Sequence, residues 1–228
     1  MLDGCTDDRL RREALGYLNS ATIDMEERLK VLERMYNIDE PSLACKCELA
    51  AVYGKDMKKR KELEQDIIRD YWWWINHYIY EYGDFFGERE ERSEPPLGSE
   101  KKILLIEKCM GIFYALFDKD DLGEYLFYEG QYNEFLAREY LKTGKIQEAL
   151  DCFEKSVDGW LAYNNLPDRY EYKSVLTDRL VYDKSKQFQG GDYPNCKRYR
   201  SAIDKNSVYN VVRDNPRFKA AYDKLIQR

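Results

Sequence analysis

One stretch decides the fold of this chain: Asn133-Glu-Phe-Leu-Ala-Arg-Glu-Tyr-Leu-Lys-Thr-Gly-Lys-Ile-Gln-Glu-Ala-Leu-Asp-Cys-Phe-Glu-Lys-Ser156. Its apolar residues recur at helical spacing on both sides of Gly144, and a glycine at such a point commonly ends a helix. The stretch therefore predicts two helices joined by a tight turn. The inward-facing residues are Leu136, Ala137 and Tyr140 on the first helix, and Ala149 and Phe153 on the second.

This pattern of small and large apolar residues resembles a tetratricopeptide repeat. The stretch departs from the usual repeat at Asn133, where Trp is common, and at Leu161, where the closing Pro is absent. A single repeat cannot bury its apolar face and needs neighbours stacked against it. The resemblance therefore implies a scaffold of several helix pairs that binds a partner.

Helical spacing recurs along most of the chain, whereas alternating strand patterns are nearly absent. We therefore predict an all-α fold: one domain over 1–228, built as a right-handed α-solenoid of tetratricopeptide-like helix pairs. A charged, Pro- and Gly-containing loop is expected at about 87–98, and a cap ending in a capping helix at about 195–228. The predicted helices cover 7–18, 24–36, 41–53, 57–82, 99–117, 122–142, 145–163, 166–184 and 195–203, with a last helix from Asp214 onward.

Composition limits the classes of function. The chain has 228 residues, and 43% of them are apolar, which is enough for a hydrophobic core. Its net charge of -6 does not favour binding to the phosphates of nucleic acid. The longest apolar run, Tyr71 to Tyr80, is interrupted and is shorter than the roughly 20 residues of a membrane span. Six scattered cysteines and the absence of a signal peptide predict a protein of the reducing cytoplasm, with no membrane partner.

The segment Tyr71-Trp-Trp-Trp-Ile-Asn-His-Tyr-Ile-Tyr80 places aromatic residues on every side of one helix. Such a helix is either packed between neighbouring helix pairs or leaves one stripe open to a ligand or a second subunit. Asn76 and His77 would need hydrogen-bond partners if they were buried. Four residues of this helix are candidates for contact with a partner: Trp73, Asn76, His77 and Tyr80.

Two further candidates lie within the repeat itself. Glu134 and Arg138 are one helical turn apart and are expected on the inner, concave surface of the solenoid. They would either contact a ligand or form a solvated ion pair that contributes little.

Catalytic and metal-binding patterns are missing from the sequence. Cys45-Lys-Cys47 has the wrong spacing for a zinc knuckle, and the chain contains one histidine, so these thiols are better interpreted as small core residues. No phosphate-binding glycine loop and no paired nucleophile and base are present. We predict a noncatalytic protein without cofactor or metal. A helical enzyme would instead have a pocket with clustered carboxylates of perturbed pKa, or His77 beside an acidic residue.

Several segments are similar to the C-terminal region of firmicute transcriptional regulators that carry a Cro/repressor-type helix-turn-helix domain. The segments are 5–17, 25–28, 144–151 and 213–219. The resemblance implies an effector-sensing and dimerisation domain that binds a peptide, protein or small ligand in a helical groove. DNA would be bound only by a domain absent from this chain. The alternative is an interaction scaffold, or adaptor, unrelated to DNA binding.

Overall fold

The computed structural model describes residues 8–22, 24–37, 43–53, 56–83, 97–186 and 196–225. These residues are mostly helical, which confirms the all-α prediction at that level. The α-helices are α1 (Asp8–Ala21), α2 (Met25–Tyr36), α3 (Leu43–Val52), α4 (Met57–Gly83), α5 (Ser99–Leu116), α6 (Leu126–Lys142), α7 (Ile146–Asn164), α8 (Cys196–Lys205) and α9 (Pro216–Lys224). The other elements are strands β1 (Arg169–Glu171) and β2 (Val181–Asp183), and 3-10 helices at Gly123–Tyr125, Lys184–Lys186 and Ser207–Val211.

The helix predicted over 166–184 is wrong, because β1 and β2 form an antiparallel hairpin there. In this segment the side chains of Arg169 and Glu171 are exposed, whereas that of Tyr172 is buried and that of Tyr170 is half-buried. This alternation has the period of a strand, in which successive side chains point to opposite faces. Strand pairing therefore prevails over the helical spacing of the apolar residues.

The chain divides into two compact units, unit 1 (Met1–Ile75) and unit 2 (Asn76–Arg228). The boundary falls within α4. One domain over 1–228 stays a prediction. The loop expected at about 87–98 lies outside the described residues except for Leu97 and Gly98.

Unit 1 packs α1, α2, α3 and the first part of α4 around an apolar core. The buried core residues are Leu15, Val31, Leu32, Cys45, Leu49, Ala50 and Leu63. Cys45 lies in this core, in agreement with its interpretation as a core residue, whereas Cys47 is exposed. The two side chains diverge because residues two apart on a helix are rotated by about 200° around its axis. They therefore lie on nearly opposite faces.

A polar network ties α1, α2 and α3 together at the edge of this core. The Asn19 amide donates a hydrogen bond to Glu48 Oε2 at 2.6 Å, and Arg28 donates to the same oxygen at 3.0 Å. Arg28 Nε also donates to Asn19 Oδ1 at 3.1 Å, which closes the network. The hydrogen bonds from Asn19 and Arg28 lower the pKa of Glu48. The ionised carboxylate is thus the form that stabilises unit 1.

The network predicts a pH dependence of the stability of unit 1. Because the pKa of Glu48 in the folded state is below its ordinary value of 4.5, its contribution is present above that value. The contribution disappears as the pH falls through the lower folded pKa. We expect Glu48→Gln to speed hydrogen exchange of the α1–α3 amides at pH 7, and the difference from the wild type to vanish in strong acid.

Glu13→Gln is the matched control, since Glu13 is an exposed carboxylate of α1. Its amide exchange should follow that of the wild type across the whole pH range. A Glu48→Gln effect of equal size at neutral and acid pH would contradict a stabilising role of the ionised carboxylate.

Unit 2 is centred on the antiparallel pair α6 and α7, which approach each other at two glycines. A Cβ atom on Gly159 would lie 3.1 Å from Gly130 Cα and 3.2 Å from Gly130 N. Ser156 Oγ donates to the carbonyl oxygen of Gly130 at 2.6 Å and lies 2.7 Å from the hydroxyl of Tyr199 in α8. The serine has one proton to donate, so Tyr199 is the donor in the second bond.

The C-terminal cap, residues 196–225, covers one side of this pair. Phe218 of α9 stacks on Phe153 of α7 with ring centroids 4.5 Å apart. Arg217 holds the same two helices together through a fork of two 2.8 Å hydrogen bonds to the carboxylate of Glu154. The N-cap of the last helix is one residue later than predicted, because Asn215 rather than Asp214 accepts the capping hydrogen bond.

Candidate functional site

The six predicted partner-binding residues fall in both units. Trp73 belongs to unit 1, whereas Asn76, His77, Tyr80, Glu134 and Arg138 belong to unit 2. Of the five residues in unit 2, Asn76 is buried, and Tyr80, Glu134 and Arg138 are half-buried. His77 is exposed.

Asn76 and Tyr80 attach the end of α4 to α6. The buried amide oxygen of Asn76 accepts a hydrogen bond from Tyr132, and the Tyr80 hydroxyl donates to Gln131. The Tyr80 ring also meets Phe135 edge to face, with centroids 5.6 Å apart. Burial raises the pKa of Tyr80, so the phenol stays neutral. Both residues therefore have a structural role within unit 2.

Three aromatic residues of unit 1 form an exposed patch on α4. We name Tyr71, Trp73 and Trp74 the α4 aromatic patch. Trp73 is 50% and Trp74 61% exposed, and their rings meet edge to face at 5.0 Å between centroids. Trp72, between Tyr71 and Trp73 in sequence, is buried. This part of α4 is thus packed on one side and exposed on another. The sequence had offered a packed helix and a helix with an open stripe as alternatives, and features of both are present.

A second, smaller group of exposed aromatic residues lies in unit 2. The rings of Tyr78 and Tyr82 are stacked, with centroids 5.8 Å apart and planes 8° from parallel. They are one helical turn apart on α4 and both are exposed. The pair presents a flat aromatic surface with a hydroxyl at each end.

Glu134 and Arg138 form an ion pair on α6 that the C-terminal cap covers. Arg138 Nε lies 3.0 Å from Glu134 Oε1, and the guanidinium carbon lies 4.7 Å from the centre of the Phe135 ring. Tyr209, a fully buried residue of the 3-10 helix Ser207–Val211, donates to the same glutamate oxygen at 2.9 Å. The pair is therefore mostly buried, and its interpretation as a solvated surface pair is wrong.

The burial of this site changes its electrostatics. Desolvation raises the pKa of Glu134, although the charge of Arg138 and the hydrogen bond from Tyr209 act in the opposite direction. Burial and the nearby Glu134 also raise the pKa of Tyr209 and Tyr199, so both phenols remain neutral donors. The Glu134 carboxylate is already occupied by a group of the same chain.

Sequence reasoning missed the residues that complete these contacts. Tyr132 and Tyr209 lie 56 and 75 residues from their partners Asn76 and Glu134. A buried Asp121 was missed as well; its carboxylate accepts hydrogen bonds from the backbone of Lys173 and Ser174. The sequence around Asp121 gives no local signal for these bonds, because the donors lie 52 and 53 residues away.

Possible metal ligands are scattered among the described residues, and several of their cysteine thiols are buried. Within them, no three His, Cys, Asp or Glu side chains gather where they could hold a metal ion. Burial raises the pKa of the Cys45 thiol, and it raises that of Cys109 and Cys152 to about 11. Thiols of this kind are poor nucleophiles at neutral pH. Over the same ranges, no helix has both the length and the apolar character needed to cross a membrane.

No protein-family model, curated protein or solved structure matches this chain. Each unit therefore has its own candidate site, defined by its side chains. These are the α4 aromatic patch in unit 1 and, separately, the covered Glu134–Arg138 pair in unit 2.

Proposed function

We propose that this chain is a noncatalytic interaction domain built as a right-handed α-solenoid of tetratricopeptide-like helix pairs. The α6–α7 pair supports the proposal, because Ala137, Ala149 and Phe153 are buried where the repeat requires small and large apolar residues. Gly144 follows the end of α6 and has a φ of 75°, a conformation that favours glycine. Asn133, which replaces the usual Trp, is buried and donates to the carbonyl oxygen of Glu129 at 2.9 Å.

The function rests on one observation, the exposure of the α4 aromatic patch. Trp and Tyr are enriched at the centres of protein interfaces, where they supply a large contact area and a polar group. Exposed apolar surface of this kind is a mark of interaction sites. The patch would hold a second copy of the chain, so that the protein functions as a homodimer.

The domain would act as the sensing and dimerisation part of a cytoplasmic transcriptional regulator, with DNA bound by a linked domain. This part of the proposal is supported by the sequence segments that are similar to Cro/repressor-type regulators. An effector peptide, protein or small molecule would act by population shift. It changes the balance of two subunit arrangements only to the extent that it binds one more tightly than the other.

Removal of the two tryptophans tests the proposal. We expect the wild-type chain to sediment as a dimer over a wide range of concentration, and Trp73→Ala combined with Trp74→Ala to weaken dimerisation by roughly tenfold or more. The physical reason is the loss of the two large side chains at the centre of the contact. Sedimentation velocity at several concentrations measures the effect.

Leu104→Ala is the matched control, because Leu104 is an exposed apolar residue of α5 outside the patch. This variant should dimerise like the wild type, and circular dichroism should show all three chains equally helical. Monomeric wild-type chain at every concentration, or unchanged dimerisation of the double variant, would refute self-association through the patch. An in-frame helix-turn-helix sequence upstream in the gene would support the regulator; an unrelated upstream sequence favours the adaptor.

A further inference from the structure

The loop of the β1–β2 hairpin in unit 2 carries two exposed apolar residues at its tip. Val175 is 88% and Leu176 54% exposed at the end of the loop that joins the two strands. The residues that flank them, Ser174 and Thr177, are buried instead. Loop ends usually carry polar or small residues. Two adjacent aliphatic side chains at this position require an explanation other than packing.

The loop is anchored by a buried carboxylate. Asp121 Oδ2 accepts hydrogen bonds from the backbone N–H groups of Lys173 and Ser174 at 2.6 and 2.7 Å, and its other oxygen accepts from the Tyr170 hydroxyl at 2.7 Å. Two backbone bonds close the turn, from Thr177 N to Ser174 O at 2.9 Å and from Leu180 N to Thr177 O at 2.7 Å. The tip is thus ordered by bonds that do not involve its own side chains.

The base of the hairpin is fixed by a contact that only glycine permits. Gly123 has a φ of 50°, and a Cβ atom there would lie 2.5 Å from the Tyr172 hydroxyl oxygen. That oxygen accepts a hydrogen bond from Glu124 N at 2.9 Å. A preorganised loop loses little conformational entropy when it binds, which favours a recognition role.

The charges around the tip indicate what kind of surface it fits. Between residues 168 and 184 the chain has four acidic and four basic residues, so the hairpin has no net charge. Ion pairs join Arg169 to Glu171, Arg179 to Asp178, and Lys184 to Asp168. A neutral hairpin is attracted neither to an anionic membrane nor to nucleic acid.

Lys173 is a basic residue of the hairpin that takes part in none of these three ion pairs. Its side chain is exposed next to the tip, and no described residue forms an ion pair with it. We propose that the tip is a docking element for a partner protein, which receives Val175 and Leu176 in a small apolar pocket and places a carboxylate beside Lys173. The partner's surface must be concave, because two side chains of one turn cannot cover the area of a flat interface.

The test begins in the cells that make the protein. A photo-crosslinking residue, benzoylphenylalanine, replaces Leu176 in one variant and Val211 in the control, since Val211 is exposed on the Ser207–Val211 helix, outside the hairpin. The protein that crosslinks at position 176 and not at 211 is identified by mass spectrometry and purified. Its affinity is then measured for the wild-type chain, for Val175→Ser combined with Leu176→Ser, and for Lys173→Glu.

We expect the serine double variant to bind this partner about 10- to 100-fold more weakly, as for a central apolar contact, and Lys173→Glu to reduce the association rate. Val211→Ser should bind like the wild type. Hydrogen exchange at the amides of Lys173 and Ser174 shows that the anchored loop is intact in each variant.

Other outcomes overturn the proposal. One is that the identified protein binds all variants equally, and another is that no protein crosslinks specifically at position 176. A crosslink to a second copy of the chain, or binding of the tip to anionic vesicles, would also contradict it. Trp73→Ala with Trp74→Ala should leave hairpin binding unchanged, because the α4 aromatic patch belongs to unit 1 and shares no residue with the hairpin. Failure of the dimer experiment therefore has no effect on this one.

Discussion

Replacing Gly159 by valine should separate α6 from α7 and destabilise unit 2 by about 3 kcal/mol. The first added carbon would lie 3.1 Å from Gly130 Cα, and the obstacle is backbone that cannot rotate away. The two further methyl groups of valine increase the overlap. The helices would have to move apart, which would weaken the bond from Ser156 Oγ to the Gly130 carbonyl oxygen. Hydrogen exchange of α6 and α7 amides in increasing denaturant measures the loss of free energy.

Gly111→Val provides the matched control for this prediction. Gly111 is a helical glycine of α5, and a Cβ atom there would meet nothing within 4 Å. Because valine has a higher helix propensity than glycine, this variant should be as stable as the wild type or slightly more stable. Equal effects of the two substitutions would show that the loss comes from helix propensity rather than from close packing.

Replacing Phe153 by alanine should detach the C-terminal cap and destabilise unit 2 by about 3 to 5 kcal/mol. The Phe153 ring is fully buried, stacks on Phe218 at 4.5 Å and contacts Tyr209 at 5.6 Å between centroids. Its removal would leave a cavity lined by residues of α7, the Ser207–Val211 helix and α9. We expect the α9 amides to lose protection from hydrogen exchange before those of α6.

Phe153→Leu separates loss of volume from loss of the aromatic stack. It keeps most of the apolar volume and should cost less than about 1.5 kcal/mol, with α9 still protected. A cap that stays fully protected in Phe153→Ala would contradict the proposed anchoring. Arg217, whose fork to Glu154 is unaffected by either change, would then be the main attachment of α9.

The helices were predictable where an apolar stripe with the period of a helix continues over several turns. The α6–α7 pair is the best example, since Ala137, Ala149 and Phe153 were expected inside and are buried. The hairpin was not predicted, because its strands are three residues long. An alternation this short is a weaker signal than the helical spacing of the apolar residues around it. Short strands stabilised by a distant side chain, here Asp121, carry little local signal.

The candidate site was predictable only as positions on helices. Asn76 was recognised as a polar residue that would need a partner if buried, and Glu134 as a candidate for ligand contact. Their hydrogen-bond partners Tyr132 and Tyr209 come from distant segments. Exposure on α4 was equally undetermined, because Trp72, Trp73 and Trp74 are identical in type and differ only in their surroundings. Tertiary contacts decide which of these side chains are exposed and which residues they bond to. The spacing of residues in a single sequence does not predict such contacts.

The phenol of Tyr209 acts on Glu134 as a ligand that is tethered to its own site. A tethered group competes at a high effective concentration, whatever amount of external ligand is present. Any external donor for this carboxylate would bind with an apparent affinity equal to its intrinsic affinity multiplied by the fraction of molecules whose cap is open. The stability of the C-terminal cap therefore sets the ligand concentration at which an external donor could reach the Glu134 carboxylate.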